Sequence, residues 1–153
     1  MAMPGRRRKT SVGLSKKHRT IVTVAAAIAL IAVVFYFTDD PLWRAIVKVE
    51  SSGNTRAWNK TTDAVGIAQI RKTVVDDCNR ILGHKRFSYN DRWSQRASRR
   101  MFDIYLNYWA RHYEKQTGRA ATAEIRARIW NGGPNGWKYR ETEDYWERVR
   151  RYY

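Results

Sequence analysis

The chain of 153 residues has room for one domain of ordinary size rather than two. Hydrophobic residues make up 43%, and Lys plus Arg outnumber Asp plus Glu by 30 to 14, which excludes both an acidic chain and a wholly disordered one. A single cysteine, Cys78, excludes an intrachain disulfide and a cysteine-based zinc site.

The first twenty residues carry seven cations (Arg6, Arg7, Arg8, Lys9, Lys16, Lys17 and Arg19) and no acid. Thr20 to Thr38 then runs without a charge, rich in Ile, Val, Ala and Phe. As a helix this stretch is about 28 Å long, close to the hydrocarbon thickness of a bilayer. The reading is a basic cytoplasmic tail over 1–20, a transmembrane anchor over 21–38 and an exported domain over 39–153. The cations before the span keep the N-terminus in the cytoplasm. A cleaved signal segment is the rival reading, and it exports the same domain. The expected location is the inner (cytoplasmic) membrane, single-pass, or a virion membrane for a phage-encoded chain.

The domain is expected to be mostly α. Asp40 can cap a helix that starts at Pro41 and carries Leu42, Ala45, Ile46 and Val49 at helical spacing. Ser51-Ser52-Gly53 ends it, so Glu50 falls in the last turn. A loop rich in Asn, Thr and Gly follows. Ile67, Ile70, Val74, Cys78 and Ile81 form a second stripe, stopped by Gly83. Asn90 or Asp91 can cap a longer helix with the stripe Trp93, Ala97, Met101, Ile104, Tyr105, Tyr108 and His112. Thr122 can cap a short helix through Ala127 and Trp130, closed by Asn131-Gly132-Gly133-Pro134. A last helix starts near Thr142, with Tyr145, Val149 and Tyr152 on one face. No alternating strand pattern and no repeat is found.

Chemistry points first to Glu50. A carboxylic acid half sunk in an apolar wall is held protonated to higher pH, which suits a general acid for glycosidic cleavage. Glu50-Ser51-Ser52-Gly53-Asn54 is followed by Gly66-Ile67-Ala68-Gln69-Ile70, by Ile129-Trp130-Asn131-Gly132-Gly133-Pro134 and by Glu141-Thr142-Glu143-Asp144-Tyr145. In order and spacing these four segments resemble the SLT-type lytic transglycosylases, over residues 41–153. The resemblance implies a lysozyme-like helical fold of the goose type, with no cofactor and no metal. It implies Glu50 as catalytic acid/base, with Ser51, Gln69, Asn131, Glu141, Tyr145 and Trp130 along the substrate. Trp130 departs from the family's usual Tyr, and Ala68 from its usual Met; both bear on substrate fit more than on reaction class.

Each of these residues also has a plainer reading. Gln69 can bond its own loop, and Asn131 can end a helix before two glycines. Glu141 can belong to a solvated charged turn. Tyr145 and Trp130 sit at core-like spacing. His18, His84 and His112 lack metal-ligand spacing. Asp63 is the candidate second carboxylate, with a turn role in Thr61-Thr62-Asp63 as the stronger reading. The resemblance implies a single essential carboxylate cutting the bond between N-acetylmuramic acid and N-acetylglucosamine, with the muramyl 6-hydroxyl closing a 1,6-anhydro ring. Attack by water would make the same site a lysozyme.

The expected partner is the peptidoglycan glycan strand, with the membrane engaged through 21–38 and no obligate protein partner. A bacterium or a bacteriophage is the expected source; so short a chain suits a virion component or a local wall-remodelling enzyme. A non-catalytic peptidoglycan-binding module is the second class of function. A nucleic-acid binder is the third; it is not expected, because the cations outside the tail follow no nucleic-acid motif.

Overall fold

The computed structural model describes Ile21 and residues 40–153. The basic tail over 1–20 and, Ile21 aside, the anchor expected over 21–38 lie outside the described residues. Among the described residues no helix is long and apolar enough to cross a membrane. Asp40–Tyr153 forms a compact, mostly helical unit.

Helix α1, Pro41–Ser51, begins as the sequence predicts. Asp40 Oδ1 accepts the backbone N–H of Leu42 at 2.9 Å and of Trp43 at 3.3 Å. Its other oxygen receives the Arg99 guanidinium at 3.0 Å, which ties the start of α1 to the long helix. Ser52 turns left-handed at φ 53° and ends the helix just beyond Glu50. Leu42, Trp43, Ala45 and Ile46 are buried.

Two short strands follow, which the sequence reading did not expect. Strands β1 (Trp58–Asn59) and β2 (Ala64–Val65) pair antiparallel, Trp58 opposite Val65 and Asn59 opposite Ala64. Strands of two residues are too short to show alternation, so no pattern marked them. Val65 then exchanges backbone hydrogen bonds with Ile70 around a tight loop.

Helix α2 is Lys72–Leu82, shorter than the stripe drawn from Ile67. Ile67 and Ile70 are buried, but in the loop, where Gly66 at φ 78° and Gln69 at φ 49° break any helix. A 3-10 turn, Tyr89–Trp93, leads into α3, Gln95–Thr117. Ser94 caps α3, accepting the Ala97 N–H at 3.3 Å. Asp91 instead closes the turn, its Oδ2 accepting both the backbone N–H and the hydroxyl of Ser88. The buried face of α3 is Met101, Phe102, Tyr105, Leu106, Ala110 and Tyr113. Trp93, Tyr108 and His112, expected on that stripe, are exposed.

Helix α4, Ala123–Gly132, is capped by Thr122 as expected. A 3-10 turn at Gly136–Lys138 leads to α5, Glu141–Val149, which buries Thr142, Tyr145 and Val149 but leaves Tyr152 exposed.

Helix α3 packs between α2 and α4, and α5 packs on α4 and α1. An aromatic seam joins them. Trp43 and Trp130 each lie 5.0 Å from Phe102, and Tyr105 meets Trp130 edge-on at 5.9 Å. Between α2 and α3, Cys78 is fully buried and donates to the Met101 carbonyl at 3.4 Å. Burial pushes its thiol up to about 12.

Two buried arginines fix the connections. Arg92 donates to the carbonyls of Tyr89, Asp63 and Ile70 at 2.8, 2.7 and 3.2 Å, so one side chain holds both ends of the hairpin segment. Arg128 on α4 donates to the Thr142 hydroxyl at 3.0 Å and to the carbonyls of Trp137 and Tyr139, and so sets where α5 begins. Buried charges need such partners, because an unpaired one costs several kcal/mol, about 3–5 when a partner is removed.

Candidate active site

Glu50 stands at the C-terminal end of α1, where the chain leaves the helix wall for the loop. It is half-buried. Tyr145, on the buried face of α5, donates its hydroxyl to Glu50 Oε1 at 2.7 Å. The pair is 95 residues apart in sequence and is brought together by the packing of α5 on α1. Burial disfavours the charged carboxylate and raises the Glu50 pKa above its ordinary 4.5. The Tyr145 hydrogen bond, then the Arg148 and Arg71 charges, pull it back in part. The Tyr145 hydroxyl is itself driven well above 10 by burial and by the carboxylate it faces. It therefore stays protonated as the donor. The Arg148 guanidinium lies 5.4 Å from the centre of the Tyr145 ring.

Glu50 lines a cleft of about 320 Å³. One wall is the hairpin segment: Asn59, Thr62, Ala64, Gln69 and Arg71, with Thr73 and Val74 of α2. The other is Tyr105 of α3 with Trp130, Asn131 and Gly132 of α4 and Gly133 just beyond it. The lining is rich in amide and hydroxyl groups, with an aromatic side. Glu50 and Arg71 are the only charged residues along it.

The sequence-predicted residues separate into three groups. Gln69, Trp130 and Asn131 line the cleft with Glu50, and Tyr145 bonds Glu50 from behind. Gln69 also bonds its own loop: its Nε2 donates to the carbonyls of Ala57 at 3.2 Å and Gly66 at 3.1 Å. Trp130 is core on one face and cleft wall on the other. Ser51 does not line the cleft. Its hydroxyl donates to the Ile67 carbonyl at 2.7 Å and accepts the Gly53 N–H at 3.2 Å, clamping the end of α1 to the Gly66–Ile70 loop. Glu141 is exposed at the start of α5 and does not line the cleft either.

Asp63 forms ion pairs with Lys72 at 3.2 Å and Arg92 at 3.4 Å. The Lys72 hydrogen bond, above all, lowers its pKa below the ordinary 3.8. Its neighbours Thr62 and Ala64 line the cleft, but Asp63 does not. Sequence reasoning missed Arg71, Asn59, Thr62, Thr73 and the cleft face of Tyr105. The only mark they carry is position: Arg71 directly follows the Gly66–Ile70 segment. Among the described residues no group of three or more His, Cys, Asp or Glu is placed to hold a metal ion.

No protein-family profile matches the chain. It is 31% identical over 109 residues to Lysozyme 1 of Crassostrea virginica. That match covers 70% of this chain, and the chain spans 55%, about half, of the relative's length. The fold resembles that of a chain in the crystal structure of Aeromonas hydrophila PliI in complex with Meretrix lusoria lysozyme, with a TM-score of 0.60 at 24% identity. That likeness covers 75% of this chain and 90% of the other. The domain is thus lysozyme-like in fold and similar in sequence to a lysozyme, a broader placement than the SLT type its motifs resemble.

Proposed function

We propose that this protein cleaves the β-1,4 bond between N-acetylmuramic acid and N-acetylglucosamine in peptidoglycan, with Glu50 as the proton donor. The observation that carries this reading is the Glu50–Tyr145 pair: a carboxyl with a raised pKa, held by a neutral hydroxyl, in a polar cleft with an aromatic wall. A carboxyl that stays protonated can protonate the leaving oxygen, and the same group then serves as base.

Two courses lead on from bond breaking. Hydrolysis is the first reading, supported by similarity to Lysozyme 1. In it water attacks at the same Glu50 site, and Asp63, next to the lining residues Thr62 and Ala64, is the candidate second carboxylate. Its environment lowers its pKa while that of Glu50 raises its own, the division of roles that two-carboxylate glycosidases use. The second reading is lytic transglycosylation by Glu50 alone, with intramolecular attack by the muramyl 6-hydroxyl. It is supported by Glu50 being the only carboxylate among the lining residues, while Asp63 turns to Lys72 and Arg92. The membrane or virion setting expected from residues 1–38 belongs to the same proposal: an anchored enzyme facing the wall.

Purified peptidoglycan incubated with residues 40–153, followed by mass spectrometry of the released muropeptides, tests the proposal. Glu50→Gln should lower release by about a thousandfold, the scale of a lost general acid. Products carrying one added water, with Asp63→Asn also inactive, establish hydrolysis. Anhydro products, with Asp63→Asn still active, establish transglycosylation. No release by the unmodified domain, with the protein still pelleting on the wall, would leave only a binding module.

A further inference from the structure

The Glu50 cleft contains a cation that acid/base chemistry does not require. Arg71 lies between the Gly66–Ile70 loop and α2, at the N-cap position of that helix, and its side chain caps nothing. It is exposed, it lines the cleft, and no carboxylate forms an ion pair with it among the described residues. Its charge nevertheless reaches Glu50, where it lowers the pKa slightly against the effect of burial. The other polar lining groups, Asn59, Thr62, Gln69, Thr73 and Asn131, are neutral amides and hydroxyls suited to sugar hydroxyls and acetamido groups.

A neutral β-1,4 glycan such as chitin offers a guanidinium nothing to pair with. A peptidoglycan strand does, because each muramyl residue bears a lactyl carboxyl that is either free or extended by a peptide with its own carboxylates. A guanidinium matches a carboxylate in a two-pronged, charge-assisted geometry that no neutral sugar group reproduces. We infer that Arg71 is a specificity-determining residue that binds a carboxylate on the muramyl side of the strand and so selects peptidoglycan over neutral glycans of the same linkage. This rests on the proposal that Glu50 acts on such strands, and it adds which glycan the cleft prefers and how.

Binding can be measured apart from catalysis in the Glu50→Gln background. The titrants are three tetrasaccharides: muramyl-containing with stem peptides, the same with the peptides removed, and the chitin-derived one. Adding Arg71→Gln should weaken both muramyl ligands about tenfold, the loss expected for a hydrogen bond to a charged group, and the chitin-derived ligand less than twofold. The tenfold gap should close in high salt, and Arg71→Lys should restore part of it. If only the peptide-bearing ligand loses affinity, the carboxylate belongs to the stem peptide; if only the peptide-free one does, to the lactyl group; if both do, Arg71 takes whichever carboxylate the muramyl residue presents.

Equal losses on all three ligands, or none on any, would overturn the inference while leaving the Glu50 proposal standing. Absence of binding by all three, together with undiminished wall cleavage by Glu50→Gln, would overturn both. Circular dichroism of the Arg71→Gln variant should superimpose on that of the parent, because the side chain is exposed.

Discussion

At the scale of single residues, the tyrosine hydroxyl that donates to Glu50 sets where that carboxyl titrates. The Tyr145 hydroxyl favours the Glu50 carboxylate, so removing it should raise the Glu50 pKa further. A proton donor works only below its own pKa. Tyr145→Phe should therefore shift the alkaline limb of the pH–activity profile to higher pH, read on solubilised glycan strands. An unmoved limb would mean that Glu50 is not the group titrating there. The same raised pKa bears on stability. A carboxyl whose folded pKa lies above its unfolded value contributes stability that is full below about 4.5 and is lost as pH rises through the folded value. Glu50→Gln, which cannot ionise, should thus have a higher melting temperature than the parent at pH 7 and no advantage near pH 4. Glu50 was legible in the sequence only through the company of the later segments, because an acid ending a helix is most often just solvated. Tyr145 was legible only through a motif, since core spacing describes it equally well. Arg71 was not legible at all, because nothing local distinguishes a cleft arginine from a solvated one.

At the scale of elements, the cleft wall depends on close backbone approach. A Cβ on Gly66 would come within 2.1 Å of the Arg92 carbonyl oxygen, and its φ of 78° already disfavours a side chain. Gly66→Ala should therefore cost more than about 4 kcal/mol in denaturant unfolding, the range reserved for backbone conflicts in packed sites. Gly53→Ala, also at positive φ but with open space around it, should cost much less. The helices α1 and α4 were legible because caps and periodicity agreed, Asp40 with Pro41 in one and Thr122 in the other; α5 was legible from the spacing of Tyr145 and Val149 alone, and Tyr152, expected on the same face, is exposed. The hairpin was not, because its two strands hold by pairing with each other and by Arg92, a contact 29 residues distant from Asp63. The long helix was legible as an element, but its cap is Ser94 rather than Asn90 or Asp91, and its buried face was only partly found. The expected stripe shares Met101 and Tyr105 with the buried face, but packing also selected Phe102, Leu106 and Tyr113 and left Trp93, Tyr108 and His112 facing solvent.

At the scale of the whole molecule, charge complements the proposed substrate. Beyond the first 38 residues Lys and Arg exceed Asp and Glu by 23 to 14. Such a surplus strengthens attraction to an anionic wall and is screened as salt rises. Pelleting of residues 40–153 on whole peptidoglycan should fall as sodium chloride is raised from about 0.05 to 0.5 M, and by more than the roughly tenfold that loss of the Arg71 contact takes from the binding of short soluble strands. Equal salt dependence in both assays would place the attraction inside the cleft instead. A different consequence follows from the buried thiol between α2 and α3. Cys78 is the chain's only cysteine, and in the folded state it is both inaccessible and hard to ionise. A thiol reagent can therefore react only when those two helices part. The protein carries its own clock for that opening: the labelling rate of one native atom times how often the scaffold behind the cleft comes apart, without any foreign probe.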